Sequence, residues 1–358
     1  MQSLGDHLEG SAWRFLRDND SVIAPVLILL PNGVIGGHSN PAERRWEDRG
    51  GLCFLNQDGV VTTAFEEVSR EDGRIVRFSG PARQRPRIRH ILDRRDIPNG
   101  RDLGHSSAGT LPEFIAGPPS RKRRNVVVLR ANSQSLHTTW DRDIHEADRN
   151  WDLCVSYYGA ALEAEQVAAV GRCEYLTHQP EDRKYGAIHA LLQEGSPLWD
   201  YQRVWFPDDD LATSWKDINR LFEIGERHQL LLAQPSLREN SYVTHSVTKQ
   251  NPDYAIRFTN FVEVMCPVFS IEALRTCAPS FYGSISGFGL DRVWPRMLGT
   301  IQSRIAIIDE VAVTHTRPVA LNYNLRTAGQ EGIALQALYA CREPIRAVGG
   351  LLRPFVTL

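Results

Sequence analysis

Three consecutive carboxylates, Asp208, Asp209 and Asp210, directly follow the short apolar run 204–206 and Pro207. An apolar run of this length bounded by proline is typical of a buried strand. The aspartates would then lie where the strand leaves its sheet, which is the edge at which open α/β sheets bind ligands. Like charges held this close raise each other's pKa, and a divalent cation removes that penalty. The pattern fits a metal-diphosphate site, and it equally fits a solvated acidic turn that caps the next helix.

Alternating strand-like and helical segments after residue 125 predict the scaffold that would position these carboxylates. Apolar runs typical of strands lie at 126–129, 151–156, 173–176, 203–206 and 230–233. Helical stretches fall between them, and the clearest, 214–228, begins with Ser214 and Asp217 as a capping box. This order predicts an α/β fold, with a mainly parallel sheet and helices on both faces.

Residues 13–92 have a different character and predict a small all-β module. Asn-Gly and Asp-Gly pairs separate its apolar segments, which is a strong signal for β-hairpins. Residues 93–124 are basic and rich in Pro, Gly and Ser without periodicity, which predicts a linker. Its arginines could attract phosphate or an anionic membrane, although a solvated linker explains them as well. The α/β part is expected over 125–320, followed by a C-terminal tail over 321–358 that packs against the body.

Composition bounds the class of protein. The 358 residues carry a net charge of −2, which argues against bulk nucleic-acid binding. The six cysteines show no CxxC pair and no zinc spacing, as expected of free thiols in a reducing cytoplasm. The N-terminus lacks a signal-peptide pattern, and the early apolar run 22–30 is too short to span a bilayer. We therefore expect a soluble, cytoplasmic protein whose contact with membranes is at most peripheral.

Several segments after the predicted linker resemble one known family. They are 130–137 (RANSQSLH), 150–159 (NWDLCVSYYG), 184–185 (KY), the acidic strand end, 232–235 (LAQP), 259–264 (TNFVEV), 286–291 (SGFGLD) and 307–316 (IIDEVAVTHT). Together they are similar to an uncharacterised family whose plant members are labelled lysine-ketoglutarate reductase trans-splicing related. Its bacterial members occur among polysaccharide genes and look like GT-A glycosyltransferases.

This resemblance covers residues 125–320 and implies a GT-A-like catalytic domain. The implied activity is a nucleotide-sugar-dependent glycosyltransferase in polysaccharide or glycoconjugate biosynthesis. Residues 13–92 resemble, more weakly, a β module attached to other bacterial polysaccharide enzymes.

The resemblance assigns the acidic strand end to a D-x-D motif formed by Asp208 and Asp210. GT-A enzymes use this motif to hold a divalent ion against the donor diphosphate, and Asp210 is the expected direct ligand. Asp209 could instead bond the ribose or the donor sugar. His315 resembles a late histidine that completes the metal shell in several GT-A enzymes, with a purely structural histidine as the alternative. An imidazole ligand favours Mn²⁺ over Mg²⁺.

Asp291 follows the glycine-rich segment 286–290 and resembles the acidic residue that supplies the base in inverting GT-A enzymes. Glycines let the backbone approach a ligand closely, and a carboxylate that opens a helix beside them could face an acceptor hydroxyl. The alternative is an ordinary carboxylate that interacts with the helix dipole. An inverting transfer follows only if Asp291 is the base.

Polar and aromatic residues near the strand ends are expected to bind the donor nucleotide, because Arg and Lys reach phosphate and aromatic rings stack on bases. They are Arg130, Asn132, Ser135, His137, Asp152, Tyr157, Tyr158, Lys184 and Asp209. For the glycan or glycoconjugate acceptor we expect Asn260 and Glu263 on an alternating strand, with Trp294 stacked on a sugar ring. The structural alternatives are core packing for Tyr157 and Trp294 and a half-exposed edge strand around Asn260.

Two other classes of function are compatible with the same residues. A metal-dependent phosphate-ester hydrolase or phosphotransferase could use the aspartates, although a second clustered carboxylate-histidine motif is absent from the sequence. A non-catalytic carbohydrate-binding protein could keep the fold, and it would tolerate loss of Asp291 and of the metal.

Overall fold

The chain folds into two separate β-sheets, of which the second carries the helices. The computed structural model describes residues 8, 11–29, 33, 35–36, 40–95, 111–160, 162, 171–282, 284, 286–299, 303–318, 324–339, 341 and 343–353. Within these residues no helix is both long enough and apolar enough to cross a lipid bilayer.

The first sheet has nine strands, and every pairing between them is antiparallel. They are β1 (Ser11–Arg17), β2 (Val22–Leu29), β3 (Ile35–Gly36), β4 (Arg45–Asp48), β5 (Leu52–Leu55), β6 (Val61–Ala64), β7 (Glu67–Glu71), β8 (Arg74–Ala82) and β9 (Arg85–Arg95). Their order is β3-β2-β1-β9-β8-β6-β5-β4, and β7 pairs with β8. Large apolar side chains, among them Trp13, Phe54 and Phe78, are buried together in its core. Residues 93–95, predicted to belong to the linker, instead complete β9.

The second sheet has ten strands. They are β10 (Asn125–Ala131), β11 (Trp151–Tyr157), β12 (Tyr175–His178), β13 (Arg203–Trp205), β14 (Leu211–Ala212), β15 (Leu232–Leu237), β16 (Tyr254–Thr259), β17 (Val268–Ser270), β18 (Ile305–His315) and β19 (Ala347–Leu352). Their order is β12-β11-β10-β13-β17-β15-β18-β16-β19, and the short β14 pairs with β18.

The second sheet is mixed, so the prediction of a mainly parallel sheet is not confirmed. Strands β10 to β13 are parallel to one another, and β15 is parallel to β18. Antiparallel β17 lies between β13 and β15, and β14, β16 and β19 add further antiparallel pairings. An apolar run in the sequence predicts burial of a strand but not its direction. The carboxyl ends of β10, β11, β13, β15 and β18 nevertheless share one edge of the sheet.

The helices pack on opposite faces of the second sheet. They are α1 (Lys184–Leu191), α2 (Trp215–Arg227), α3 (Ile271–Cys277), α4 (Leu290–Met297) and α5 (Leu325–Leu338), with 3₁₀ turns at Leu136–Thr139, Glu146–Asp148, Pro197–Asp200, Ser246–Thr248 and Ala278–Phe281. Alternate residues of β10 belong to different apolar clusters: Val126 packs with α1, α3 and α4, and Val127 packs with α2. The helix cap predicted for α2 at Ser214 and Asp217 is confirmed, because Ser214 Oγ accepts a hydrogen bond from the Asp217 amide.

Parts of the predicted linker and tail are built into the second sheet. Arg123 lies at its amino edge and donates to the carboxylates of Asp152 (2.6 Å) and Glu174 (3.4 Å). Strand β19, from the predicted tail, pairs with β16. Residues 96–110 of the predicted linker lie outside the described residues.

Candidate active site

Asp209 is the centre of a hydrogen-bonded group at the carboxyl edge of the second sheet. Its Oδ2 accepts from the hydroxyls of Ser135 (2.6 Å) and Tyr158 (3.1 Å). Asn132 Nδ2 donates to the Tyr158 hydroxyl (2.9 Å), and an Arg317 guanidinium nitrogen lies 3.4 Å from Asp209 Oδ1. These side chains come from the ends of β10, β11, β13 and β18, so four strand ends are tied together around one carboxylate.

Asp210 and His315 form a buried pair next to this group. Both are only 7% exposed, and Asp210 Oδ2 lies 3.3 Å from His315 Nε2. His315 Nδ1 lies 2.9 Å from the Tyr242 carbonyl and must donate to it, because a carbonyl oxygen only accepts. This bond fixes the ring so that Nε2 faces Asp210. Asp210 Oδ1 is buried and has no hydrogen-bond partner among the described residues.

The position of the pair follows from the strand register. Leu211 on β14 is paired with His315 on β18, and the Asp210 carbonyl accepts from the Thr316 amide (3.1 Å) and hydroxyl (2.7 Å). Burial lowers the pKa of His315, but the bonds to Asp210 and to the Tyr242 carbonyl outweigh it and raise the pKa to about 9.

Asp208 faces a cation instead of the Asp210–His315 pair. Lys184 Nζ donates to Asp208 Oδ1 (2.6 Å) and to the carbonyls of Val264 (2.9 Å) and Met265 (3.0 Å). All three ammonium protons are therefore used, and Lys184 neutralises the first carboxylate of the acidic segment. Lys184 reaches a donor phosphate only if it gives up one of these bonds.

The donor atoms around Asp210 fit a divalent ion that also binds a ligand. No group of three or more His, Cys, Asp and Glu side chains in the described ranges is arranged to hold a metal alone. The expected metal-binding atoms are Asp210 Oδ1, which is buried without a partner among the described residues, and His315 Nε2, which would exchange its proton for the metal. The other ligands would come from a diphosphate or from water, as is common for hard cations at phosphate sites.

Two further carboxyl groups near the Asp210–His315 pair, those of Asp291 and Glu263, are buried. Asp291 is the second residue of α4 and is 9% exposed, and burial raises its pKa to about 7. Glu263 is 7% exposed; burial and the charge of Asp291 raise its pKa to about 8. The charges of His315 and Asp208 also act on Glu263, so this carboxyl lies within electrostatic reach of both the Asp210–His315 pair and Asp291.

The loop before Asp291 is held by the C-terminal helix α5. Glu331 accepts from the Ser284 hydroxyl (2.8 Å), the Ser286 amide (2.9 Å) and the Ser286 hydroxyl (2.7 Å). Gly289 has φ +95°, and a Cβ atom there would lie 2.9 Å from Gly332 Cα on α5. Glycine at position 289 therefore allows both the left-handed turn and the close approach of the helix.

The donor-binding prediction for Asp152 is wrong. Asp152 is the second residue of β11 and lies at the amino edge of the sheet, away from the strand ends that carry Asp210. It is fully buried and accepts from Arg123 and from the Tyr201 hydroxyl (2.6 Å). Its role is therefore to compensate a buried positive charge.

Three aromatic or imidazole side chains predicted to touch ligands are buried in the core instead. His137 (2% exposed) lies in a 3₁₀ turn against Trp140, and Tyr157 (3%) belongs to the apolar cluster around α2. Trp294 is fully buried against Phe269 and other aromatic rings, so stacking of Trp294 on an acceptor sugar is excluded in this structure. The local backbone directs each of these three side chains toward the core, and the type of residue alone does not predict this direction.

Arg130 and Asn260, which were predicted to bind the donor and the acceptor, form hydrogen bonds that hold neighbouring backbone segments in place. The Arg130 guanidinium donates to the Gln179 carbonyl (2.7 Å) and covers the Tyr158 ring at 5.1 Å, and burial lowers its pKa to about 10. The Asn260 amide donates to the Pro344 carbonyl (2.8 Å) and accepts from the Arg346 amide (2.9 Å). The predicted strand around Asn260 ends at Thr259, so its polar groups do not alternate as expected.

A role for two residues at this edge, Arg317 and Tyr242, was not predicted from the sequence. Arg317 follows His315 by two residues, so its place just beyond a strand end was available as a signal. Tyr242 lies in an irregular loop and has no periodicity that would single it out.

Comparison with solved structures finds similar folds among nucleotide-sugar transferases. Mannosyltransferase PcManGT from Pyrobaculum calidifontis, in complex with GDP-Man and Mn²⁺, matches with 13% identity and a TM-score of 0.42 over 66% of this chain and 69% of that chain. S. aureus TarS 1-349 in complex with UDP-GlcNAc matches with 12% identity and a TM-score of 0.39 over 61% and 70%.

Glucosyl-3-phosphoglycerate synthase from Mycobacterium tuberculosis, in complex with Mn²⁺, UDP-glucose and phosphoglyceric acid, matches with 14% identity and a TM-score of 0.38 over 69% of this chain and 98% of that chain. TM-scores this low do not assign an activity to this chain. No family model matches the sequence, and no curated protein matches it either. Membership of the family named above stays a prediction.

Proposed function

We propose that this protein is a metal-dependent glycosyltransferase that moves a sugar from a nucleotide-sugar donor to a hydroxyl of a glycan or glycoconjugate. The observation that carries the proposal is the buried Asp210–His315 pair at the carboxyl edge of the sheet. A buried carboxylate oxygen without a partner costs free energy, and a cation bound there would remove the cost.

The metal would be held by Asp210 and His315, with Mn²⁺ preferred over Mg²⁺ because one ligand is an imidazole nitrogen. When bound, a divalent ion stabilises the negative charge that develops on the departing diphosphate. Lys184 keeps the neighbouring Asp208 neutralised, and Asp210 Oδ1 is left available for the metal. In this proposal Asp208, the first residue of the D-x-D motif, binds Lys184 and does not bind the metal itself.

The nucleotide part of the donor would lie over the group formed by Asn132, Ser135, Tyr158, Asp209 and Arg317. Tyr158 offers a half-buried ring, and the Arg317 guanidinium, 32% exposed, is the accessible cation. Arg130 holds the Tyr158 ring from its other face and so positions it.

Asp291 is the proposed general base. The acceptor hydroxyl would transfer its proton to the Asp291 carboxylate as its oxygen attacks the donor sugar, and direct attack inverts the configuration at that carbon. A carboxyl group whose pKa is about 7 is well matched to this role near neutral pH. Glu263, whose pKa is raised to about 8 by burial and by the charge of Asp291, would hold a proton and hydrogen-bond a sugar hydroxyl.

The proposed setting is polysaccharide or glycoconjugate biosynthesis in the cytoplasm, in line with the resemblance described for residues 125–320. In this proposal the second sheet is the GT-A-like catalytic domain, and the first sheet is an accessory β module.

A thermal-shift panel tests the donor site. UDP-, GDP-, CMP- and TDP-sugars are added with and without Mn²⁺ to the wild type, to Asp210→Ala and to Asp200→Ala. A ligand that binds only the folded protein raises the melting temperature. We expect one nucleotide class to stabilise the wild type in a Mn²⁺-dependent way and to have no effect on Asp210→Ala.

Asp200→Ala is the matched control because Asp200 is 64% exposed and its ion pair, with Lys122, lies at the opposite edge of the sheet. It should behave like the wild type. If no donor shifts the wild type at saturating concentration, or if Asp210→Ala responds fully, the proposal is wrong.

A further inference from the structure

We propose that the ring of Tyr242 is a stacking platform for a sugar ring beside the Asp210–His315 pair. This inference rests on the proposed function and adds to it a binding residue and a ligand class, a pyranose. Aromatic rings bind the C–H face of a sugar because both surfaces are apolar and flat, while the surrounding hydroxyls stay hydrated.

The backbone of Tyr242 is fixed directly against His315. The Tyr242 amide donates to the His315 carbonyl (3.0 Å), and the Tyr242 carbonyl accepts from His315 Nδ1 (2.9 Å). Ser241 adds a third link, since its hydroxyl accepts from the His315 amide (3.2 Å). These bonds fix the Cα of Tyr242, and with it the base of its side chain, next to the His315 ring.

The side chain of Tyr242 is exposed although its backbone is anchored. It is 48% exposed, whereas Trp140, Trp151, Trp205 and Trp294 are all nearly or fully buried. An exposed aromatic ring on a rigid backbone loses little conformational entropy when a ligand covers it. This combination is typical of binding sites and unnecessary for folding.

The loop that carries Tyr242 continues toward the proposed base. The His245 ring lies 4.6 Å from the Phe261 ring, next to the segment that carries Glu263, and the charge of Arg292 acts on His245. The loop that carries Tyr242 therefore runs from the metal pair toward Phe261, two residues before Glu263.

A nucleobase is the less suitable occupant. The candidate base-stacking ring, Tyr158, hydrogen-bonds to Asp209. The backbone of Tyr242 instead bonds to His315, the residue that would bind the metal. The sugar on Tyr242 would belong to the donor or to the acceptor, and binding measurements separate the two.

The test uses the full-length protein with Mn²⁺, as wild type, Tyr242→Ala and Tyr242→Phe. Calorimetry compares the nucleoside diphosphate with the corresponding nucleotide sugar from the panel above. Ligand-observed NMR, in the presence of the nucleoside diphosphate, measures methyl glucopyranoside, methyl mannopyranoside and methyl N-acetylglucosaminide. Because Tyr242 is exposed, both variants are expected to fold, and circular dichroism checks this.

We expect Tyr242→Ala to weaken sugar binding by about fivefold to tenfold, the range for loss of one aromatic contact, and Tyr242→Phe to stay within twofold of the wild type. A loss confined to the nucleotide sugar assigns the ring to the donor sugar, and a loss confined to a methyl glycoside assigns it to the acceptor.

The inference is overturned if Tyr242→Ala binds every sugar as tightly as the wild type does. It is also overturned if the wild type binds no glycoside and the Tyr242→Ala substitution leaves the affinity for the nucleotide sugar unchanged. Weaker binding of the nucleoside diphosphate itself would also overturn it, because the ring would then contact the nucleotide. Failure of the wild type to bind any nucleotide is a separate result that refutes the proposed function, and the glycoside measurement still tests Tyr242.

Discussion

At the scale of single residues, the proposed site concentrates groups that are costly to bury. Asp210 Oδ1 and Glu263 Oε2 have no hydrogen-bond partner among the described residues, and the pKa values of Glu263 and Asp291 are raised to about 8 and about 7. Elsewhere in the second sheet, Asp152 and Asp309 are fully buried but are paired with arginines. Among the described carboxyl groups, Asp210 and Glu263 keep a buried oxygen without a hydrogen-bond partner, at the place where a ligand would compensate it.

The stability of the protein should depend on pH through Asp291. In the unfolded chain Asp291 loses its proton near its ordinary pKa of about 4, whereas the folded protein retains it up to about 7. The folded state binds more protons between these values, so stability falls as pH rises from 4 to 7. Asp291→Asn removes this cost of up to about 4 kcal/mol.

Thermal melts at pH 5 and pH 8 measure this effect. Asp291→Asn should melt higher than the wild type, and the difference should be larger at pH 8. The exposed Asp200 supplies the control Asp200→Asn, which should show no such trend. A stabilisation by Asp291→Asn that is equal at both pH values contradicts the assignment of a raised pKa.

The activity should also depend on the ionisation of Asp291, but it should rise with pH whereas the stability falls. If Asp291 is the base, kcat/KM should rise with pH up to about 7 and then level off, because only the ionised carboxylate accepts a proton. Asp291→Asn should lower kcat by about 100-fold or more while nucleotide binding persists. A pH-independent rate, or an active Asp291→Asn variant, would show that another group is the base.

The types of several functional residues were predictable from sequence, but their directions were not. Asp208, Asp209 and Asp210 are adjacent in the chain, yet they face Lys184, the Ser135–Tyr158 group and His315 respectively. The partners come from segments 24 to 105 positions away, and only the folded sheet brings them together. Trp294 illustrates the converse, since an aromatic near a candidate base was predicted to bind sugar and is a core residue.

At the scale of secondary-structure elements, the C-terminal helix α5 positions the loop that carries Asp291. The side chain of Glu331 accepts three hydrogen bonds from Ser284 and Ser286. A glutamine amide at this position offers one acceptor oxygen and one nitrogen that cannot accept. Glu331→Gln should therefore lose part of this clamp and loosen the loop.

We expect Glu331→Gln to lower kcat about tenfold and stability by about 1–3 kcal/mol, while Mn²⁺-dependent nucleotide binding is unchanged. Glu343→Gln makes the same chemical change on the same C-terminal segment at a side chain that is 61% exposed, and it should behave like the wild type. Equal turnover by the two variants would mean that α5 does not position Asp291.

The existence of the main elements could be predicted, and their arrangement only in part. Apolar runs and the capping box at Ser214 predicted β10, β11, β13 and α2. The direction of β17 and the extra pairing of β14 depend on contacts between distant segments, which local patterns do not encode. Strand β19 was missed because its Gly349 and Gly350 weaken any strand signal.

At the scale of the whole molecule, the C-terminal residues form part of the second sheet. Strand β19 pairs with β16, and Arg353 donates to the carbonyls of Tyr254 (3.1 Å) and Asp309 (2.7 Å). A chain that ends at residue 346 would lose these bonds and expose β16 as a new edge strand, which favours aggregation.

This truncation should lower the melting temperature by more than 5 °C, since several backbone hydrogen bonds and the Arg353 contacts are lost together. Size-exclusion chromatography should also show higher-order species. A truncated protein that stays monodisperse with the melting temperature of the full chain would mean that β19 contributes nothing to the sheet. An internal substitution of the exposed Val348 by Thr, which keeps β19, is the control.

The central claim is that Asp210 and His315 hold a divalent ion together with a nucleotide. The most direct measurement counts bound Mn²⁺ by electron paramagnetic resonance, with and without the nucleoside diphosphate, in the wild type and in Asp210→Asn. We expect one Mn²⁺ per wild-type chain, bound at least tenfold more tightly with the nucleotide, and loss of this site in Asp210→Asn. Equal Mn²⁺ binding by both proteins, or binding that ignores the nucleotide, would contradict this claim.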